Sequence, residues 1–75
     1  MSDNNSWILH DVIIQKSIPL EKAKQIAQKF ISPTKHYYRE TSNSYRFRNI
    51  SKQKFKQFRA KPINEHITLI YGLLK

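Results

Sequence analysis

The apolar positions follow three rhythms along the chain. From Trp7 to Lys16 the run WILHDVIIQK is almost continuously apolar and rich in β-branched residues. That pattern predicts a strand with both faces partly covered, as in the centre of a sheet. The period then changes to that of a helix: Leu20, Ala23, Ile26, Ala27, Phe30 and Ile31 share one face, and Glu21, Lys22, Lys24, Gln25, Gln28 and Lys29 the other. Ser17 or Ile18 stands near the cap, Pro19 suits the first turn and Glu21 complements the helix dipole. Pro33 sets the end near Ser32, because it disfavours helical geometry in the residue before it.

A two-residue period follows. His36–Glu40 and Tyr45–Ile50 have strand composition and flank the turn-prone tetrad Thr41-Ser-Asn-Ser44, which predicts a hairpin. Whether the turn closes around Ser42-Asn43 or around the whole tetrad, Glu40 faces Tyr45, Arg39 faces Arg46 and Tyr38 faces Phe47. Tyr38, Tyr45 and Phe47 then share one side of the ribbon, while Tyr37, Arg39, Arg46 and Arg48 share the other. A three-residue loop would shift the register and scramble that partition. Ser51–Lys61 fits two descriptions: a short basic helix capped by Ser51 with Phe55 and Phe58 on one face, or an extended arm running to Pro62. His66–Leu74 reads as a last, largely buried strand, in which Gly72, the chain's one glycine, marks a bulge or a close backbone approach.

These elements predict one α+β domain over residues 7–75: a small antiparallel sheet of about four strands in the order β-α-β-β-(α or basic arm)-β, with one amphipathic helix on one face. Residues 1–6 are polar and aperiodic and read as a disordered tail. A chain of 75 residues buries only about 60% of the surface it exposes when unfolded, which leaves little room for an enclosed catalytic cavity. There is no cysteine, hence no disulfide framework and no thiolate metal site. No basic n-region precedes the apolar run at Trp7–Ile14 and no run approaches a membrane span, so the expectation is an intracellular protein of the cytoplasm, nucleoid, nucleus or virion.

Charge is what singles out a working surface. Between Lys35 and Lys61 stand nine cations and one anion, Glu40, a balance of +8 against +9 for the whole chain. Solubility does not require such clustering, whereas a polyanionic partner rewards it through counterion release. The alternative description, a merely solvated lysine face, accounts less well for four arginines interleaved with aromatics, since guanidinium groups bind phosphate in a bidentate fork. The candidate nucleic-acid contacts are Tyr37, Arg39, Arg46, Arg48, Lys52, Lys54, Lys56, Arg59 and Lys61, with Phe55 and Phe58 as candidates to stack on bases or wedge between them. No catalytic, cofactor or metal site is expected. The five acids are dispersed, one glycine cannot build a phosphate-cradling loop, and the three histidines lack ligand spacing. His10 and Asp11, as neighbours in a strand, are expected on opposite faces.

The helix KAKQIAQKF, the strand entering at Arg39-Glu40-Thr41, the strand Tyr45-Arg-Phe-Arg-Asn49, the basic segment after it and the last strand Ile67-Thr-Leu-Ile-Tyr71 together resemble the methanogen chromosomal protein family. These are small non-histone DNA-packaging proteins of archaea, with relatives in large DNA viruses. The resemblance spans roughly residues 19–71 in element order and rests on few identical residues, chiefly the Arg-Glu pair. It implies a helix on a strongly bent antiparallel sheet, and bending of duplex DNA without strict sequence preference. The Arg46/Arg48 strand would then face DNA and Ser51–Pro62 would form a protruding arm. The family has a hairpin before its helix where this chain has one strand, and no tryptophan lies in the arm-like segment. The expected function is therefore non-enzymatic, architectural nucleic-acid binding with duplex DNA as the favoured ligand, and no membrane or small-molecule partner is expected. One alternative is a single-stranded RNA-binding sheet with Tyr37 stacking on bases; another is a protein-interaction or virion component whose basic face meets an acidic partner.

Overall fold

A computed structural model describes residues 7–32, 36–50 and 53–75. The tail expected at 1–6, Pro33, Lys35, Ser51 and the candidate contact Lys52 lie outside the described residues. The elements are β1 (Trp7–Gln15), α1 (Leu20–Ala27), β2 (His36–Glu40), β3 (Ser44–Asn49), β4 (Phe55–Pro62) and β5 (Ile67–Leu74). All pairings are antiparallel and form one five-stranded sheet in the order β2-β3-β1-β5-β4.

The expectation of an α+β fold with about four strands is thereby corrected. The protein is a small β-rich fold, five strands to one eight-residue helix. The difference lies in the segment that fits helix or arm: Phe55–Pro62 is neither, but a strand paired along β5 from Phe55↔Leu74 to Pro62↔Thr68. Its cations stand at positions that a helix and a strand both tolerate, so tertiary pairing decides the matter. Pro62 fits because it sits on an edge strand, where its missing N–H faces no ladder partner.

β1 is the central strand, in keeping with a run that is apolar apart from His10, Asp11 and its last residue, Gln15. Val12 and Ile14 stand opposite Phe47 and Tyr45 on one side and Leu69 and Ile67 on the other. With Ala23, Ala27 and Ile31 from the helical region these side chains make the core, and Val12, Ile14 and Ala23 have no exposed surface. The helix is shorter than its apolar pattern. It starts with Ala23 N–H donating to Pro19 O, 2.9 Å, and no side chain caps it. Beyond Ala27 the last turn tightens, with Lys29 N–H donating to Ile26 O and Phe30 N–H to Ala27 O. Ile31 still reaches the core, whereas Phe30 is left 40% exposed. Among the described residues no helix is long and apolar enough to cross a membrane.

The hairpin has the expected register: Glu40↔Tyr45, Arg39↔Arg46 and Tyr38↔Phe47. Thr41 fastens its turn, donating its N–H to Ser44 O at 2.9 Å and accepting Ser44 N–H on Oγ1 at 3.0 Å. Because residues paired in register share a face, the five strands sort into two surfaces. One carries the core and α1. The other has no helix on it among the described residues, and alternation brings Tyr37, Arg39, Arg46, Arg48, Asp11, Ile13, Thr68, Ile70, Phe58 and Ala60 to that side.

Candidate nucleic-acid interface

The helix-free face divides into a cationic half over β2, β3 and β1 and an aromatic half over β1, β5 and β4. In the cationic half the cross-strand row Tyr37–Arg48–Asp11 lies beside the row Arg39–Arg46–Ile13. Arg39 directly opposite Arg46 is a like-charge pair, which costs stability unless an anion sits near it. Among the described residues the one carboxylate at hand is Asp11, 2% exposed. Its Oδ2 lies 3.5 Å from Arg48 Nη2 and 3.9 Å from Arg46 Nη1. Burial pushes the Asp11 carboxyl above its ordinary range, against the pull of Arg48 and then Arg46, which favour the ion. Asp11 Oδ1 and Arg46 Nε are buried and make no hydrogen bond within the protein. Arg39 has no carboxylate partner among the described residues. One anion among three guanidinium groups leaves this half with a surplus of positive charge.

The aromatic half is built on a β-bulge. Leu9 pairs with Tyr71 but Asp11 with Ile70, so His10 is an extra residue in β1. Asn49 Nδ2 donates to Leu9 O at 3.2 Å and so occupies a backbone acceptor at the irregularity. The bulge overturns the expectation that His10 and Asp11 point to opposite faces: the His10 ring lies against Phe58 (centroids 5.0 Å apart) and Phe55 (5.3 Å), on the same side as Asp11. Burial first, then the Arg48 charge, lowers the His10 pKa. Phe55 closes over Gly72, where a Cβ would fall 2.5 Å from Phe55 Cδ1. The close approach expected at the glycine is therefore made by a ring. Phe55 is half-buried under that arrangement, while Phe58 stays 54% exposed and Tyr37, at the opposite edge, 62% exposed.

The sequence-predicted contacts thus fall into two groups. Tyr37, Arg39, Arg46, Arg48, Phe55 and Phe58 share the helix-free face. Arg59 and Lys61, opposite Tyr71 and Leu69, belong to the face that carries α1. There Arg59 lies over the Trp7 ring, 4.7 Å from its centroid, a cation–π contact. Lys56 occupies the register shift between Phe55 and Gln57, and Lys54 is exposed before β4 with its carbonyl accepting from Lys75 N–H. Sequence reasoning missed Asp11 and His10, which alternation alone assigns wrongly. The signal that could have found Asp11 is its being the one acid in an otherwise apolar central strand. Among the described residues no cluster of three or more His, Asp or Glu side chains offers a metal site. No family model, no curated protein and no solved structure matches the chain.

Proposed function

We propose that the protein binds nucleic acid across the helix-free face of its sheet and acts by binding rather than by catalysis, with single strands as the favoured ligand. The supporting observation is that three arginines and two well-exposed rings, Tyr37 and Phe58, share one uncovered surface. Guanidinium groups take phosphate oxygens in bidentate fashion, and exposed rings take the faces of unstacked bases. Tyr37 and Phe58 stand on the two edge strands, four inter-strand steps apart, or roughly 19 Å at ~4.8 Å per step.

Duplex DNA is the second reading, and the placement of Arg59 and Lys61 favours it: with Lys54 and Lys56 they carry positive charge around the β4 edge to the far side of the sheet. The two readings differ in the number of cations engaged. Three arginines on a single strand give a log affinity–log salt slope of about −2, whereas six or more cations on a duplex give about −5. A salt titration by fluorescence anisotropy against matched single-stranded DNA, single-stranded RNA and duplex DNA separates them. Absence of binding to all three at low salt would overturn both.

A further inference from the structure

Among the described residues the sheet has two edges with no strand paired to them, and they are not equivalent. Backbone hydrogen bonds fix which residues point outward on each. Thr41 N–H donates to Ser44 O and Lys16 N–H to Asn43 O, so Ser44, Arg46 and Arg48 address β2 while Asn43, Tyr45 and Phe47 address β1. In β2, therefore, Tyr37 and Arg39 bond to β3, and the N–H and C=O groups of His36, Tyr38 and Glu40 face outward. On the other edge Ile63 N–H donates to Ile67 O, so Lys61 and Arg59 address β5 and the outward positions are Phe58, Ala60 and Pro62. Pro62 offers no donor there, and Lys56, Arg59 and Lys61 within β4 repel a like strand. These are devices that keep an edge unpaired. β2 has neither proline nor lysine, and carries one cation and one anion.

The geometry points to β2 as the edge that pairs with β2 of a second copy of this chain, antiparallel about a two-fold axis at Tyr38. In that register His36 stands opposite Glu40 of the second copy, Tyr37 opposite Arg39, and Tyr38 opposite Tyr38. No like charges meet directly in any of these pairs, and Glu40 keeps its own-chain contacts with Lys16 Nζ at 2.6 Å and the Tyr38 hydroxyl at 3.0 Å. All the outward groups of His36, Tyr38 and Glu40 find partners, because the residues that bond to the second copy are the ones left free by β3. Five residues of edge bury far less than the ~1,200 Å² of a stable complex. The pairing is therefore weak, and its net charge of +9 per copy makes it stronger in added salt. Its consequence for the proposed interface rests on the nucleic-acid reading. The two helix-free faces become continuous through Tyr37 and Arg39, so one long single strand spans both cationic halves. The pairing itself stands without that reading.

The test uses the protein alone, without nucleic acid, so its failure is separate from failure of the binding proposal. Amide hydrogen exchange of the wild-type chain is followed from about 20 μM to about 1 mM, the range a weak pairing requires, at low and at raised salt. Protection of His36, Tyr38 and Glu40 is expected to grow with concentration and with salt, and that of Phe58 and Ala60 to stay constant. In parallel, Tyr38→Cys and Ala60→Cys each place one thiol in a chain that has no cysteine. Directly opposed residues of a hydrogen-bonded pair lie ~5.5 Å apart at Cα, within disulfide reach. Tyr38→Cys is expected to cross-link at least tenfold faster than Ala60→Cys under mild oxidation. Concentration-independent exchange at His36, Tyr38 and Glu40 would overturn the proposal, and so would equal cross-linking rates in two variants of native circular dichroism.

Discussion

Asp11→Asn tests the electrostatic logic of the helix-free face. The carboxylate is 2% exposed, yet the arginines on either side of it keep 41% and 45% of their side-chain surface in solvent. Neutralising Asp11 therefore leaves both arginines partly hydrated, although Arg46 Nε stays buried. Burial raises the folded-state pKa of Asp11 above its ordinary 3.8, so the fold prefers the protonated form. The stability this supplies is complete below pH 3.8 and lost as pH rises through the raised folded value; at neutral pH the ion is a burden that its partners offset in part. Asparagine removes that titration, and urea unfolding at pH 7 should move by no more than about 1 kcal/mol in either direction. Binding should change more. One fewer anion on the face adds about one effective phosphate contact, which steepens the single-strand salt slope by ~0.7 and tightens binding about fivefold at ~0.1 M salt. Anisotropy titrations at several salt concentrations measure both. Weaker binding by a folded Asp11→Asn would refute the reasoning, because Asp11 would then be holding the guanidinium groups in register rather than competing for them. A stability loss above about 3 kcal/mol would refute it differently, by showing the carboxylate to be a structural anchor.

Three further outcomes follow from the packing. Tyr37→Ala and Phe58→Ala should each weaken single-strand binding by about 1–3 kcal/mol, the usual worth of a stacked base, with thermal melting unchanged for Tyr37→Ala and slightly lowered for Phe58→Ala, which also loses its ring contacts with His10 and Phe55; unchanged binding by the folded variants would refute the stacking role. Gly72→Ala forces the Phe55 ring off its seat, since the new Cβ would lie 2.5–2.9 Å from Cδ1, Cγ and Cε1. A cost of about 1–3 kcal/mol is expected in chemical denaturation, together with loss of the His10–Phe55 contact in aromatic nuclear Overhauser spectra. Because burial and Arg48 lower the His10 pKa, the neutral ring stabilises the fold above its ordinary pKa of 6.5. That stability is lost as pH falls through the lowered folded value, so His10→Phe should flatten the decline measured by urea unfolding between pH 7 and 5.

How much of this was legible in the chain depends on the range of the interactions involved. The β2–β3 hairpin could be read to the residue, because a short turn and a two-residue period fix both register and faces locally. β1 could be placed at the sheet centre because apolar residues alternate onto both of its faces, which asks for cover on both. The end of α1 could not, since Phe30 continues the helical period while the backbone tightens after Ala27 and leaves that ring half in solvent. The bulge at His10 was invisible for another reason. It exists only in the pairing of β1 with β5, some 60 residues downstream, and no local pattern reports it, yet it decides which side of the sheet His10 takes.

The same distinction governs the basic stretch. Along the sequence, Lys35 to Lys61 is one run of charge and suggests one surface. Folded as a helix or an arm, Phe55–Lys61 could have presented its cations and rings together to a duplex. As an edge strand it must send alternate residues to opposite sides: Phe58 and Ala60 to the helix-free face, Arg59 and Lys61 to the other. The rings then remain with the hairpin arginines while the β4 cations leave them, and Arg59 is drawn over Trp7. Pairing of β4 with β5 thereby turns a segment suited to wedging into a duplex into the rim of an aromatic–arginine surface, which is the physical ground for favouring single strands in the proposal. Arg59→Ala with Lys61→Ala accordingly discriminates the two readings. The double variant should reduce single-strand affinity less than twofold, whereas on a duplex the loss of two phosphate contacts should shallow the salt slope by about 1.8. Equal losses on both ligands would mean that the nucleic acid passes around the β4 edge in either form.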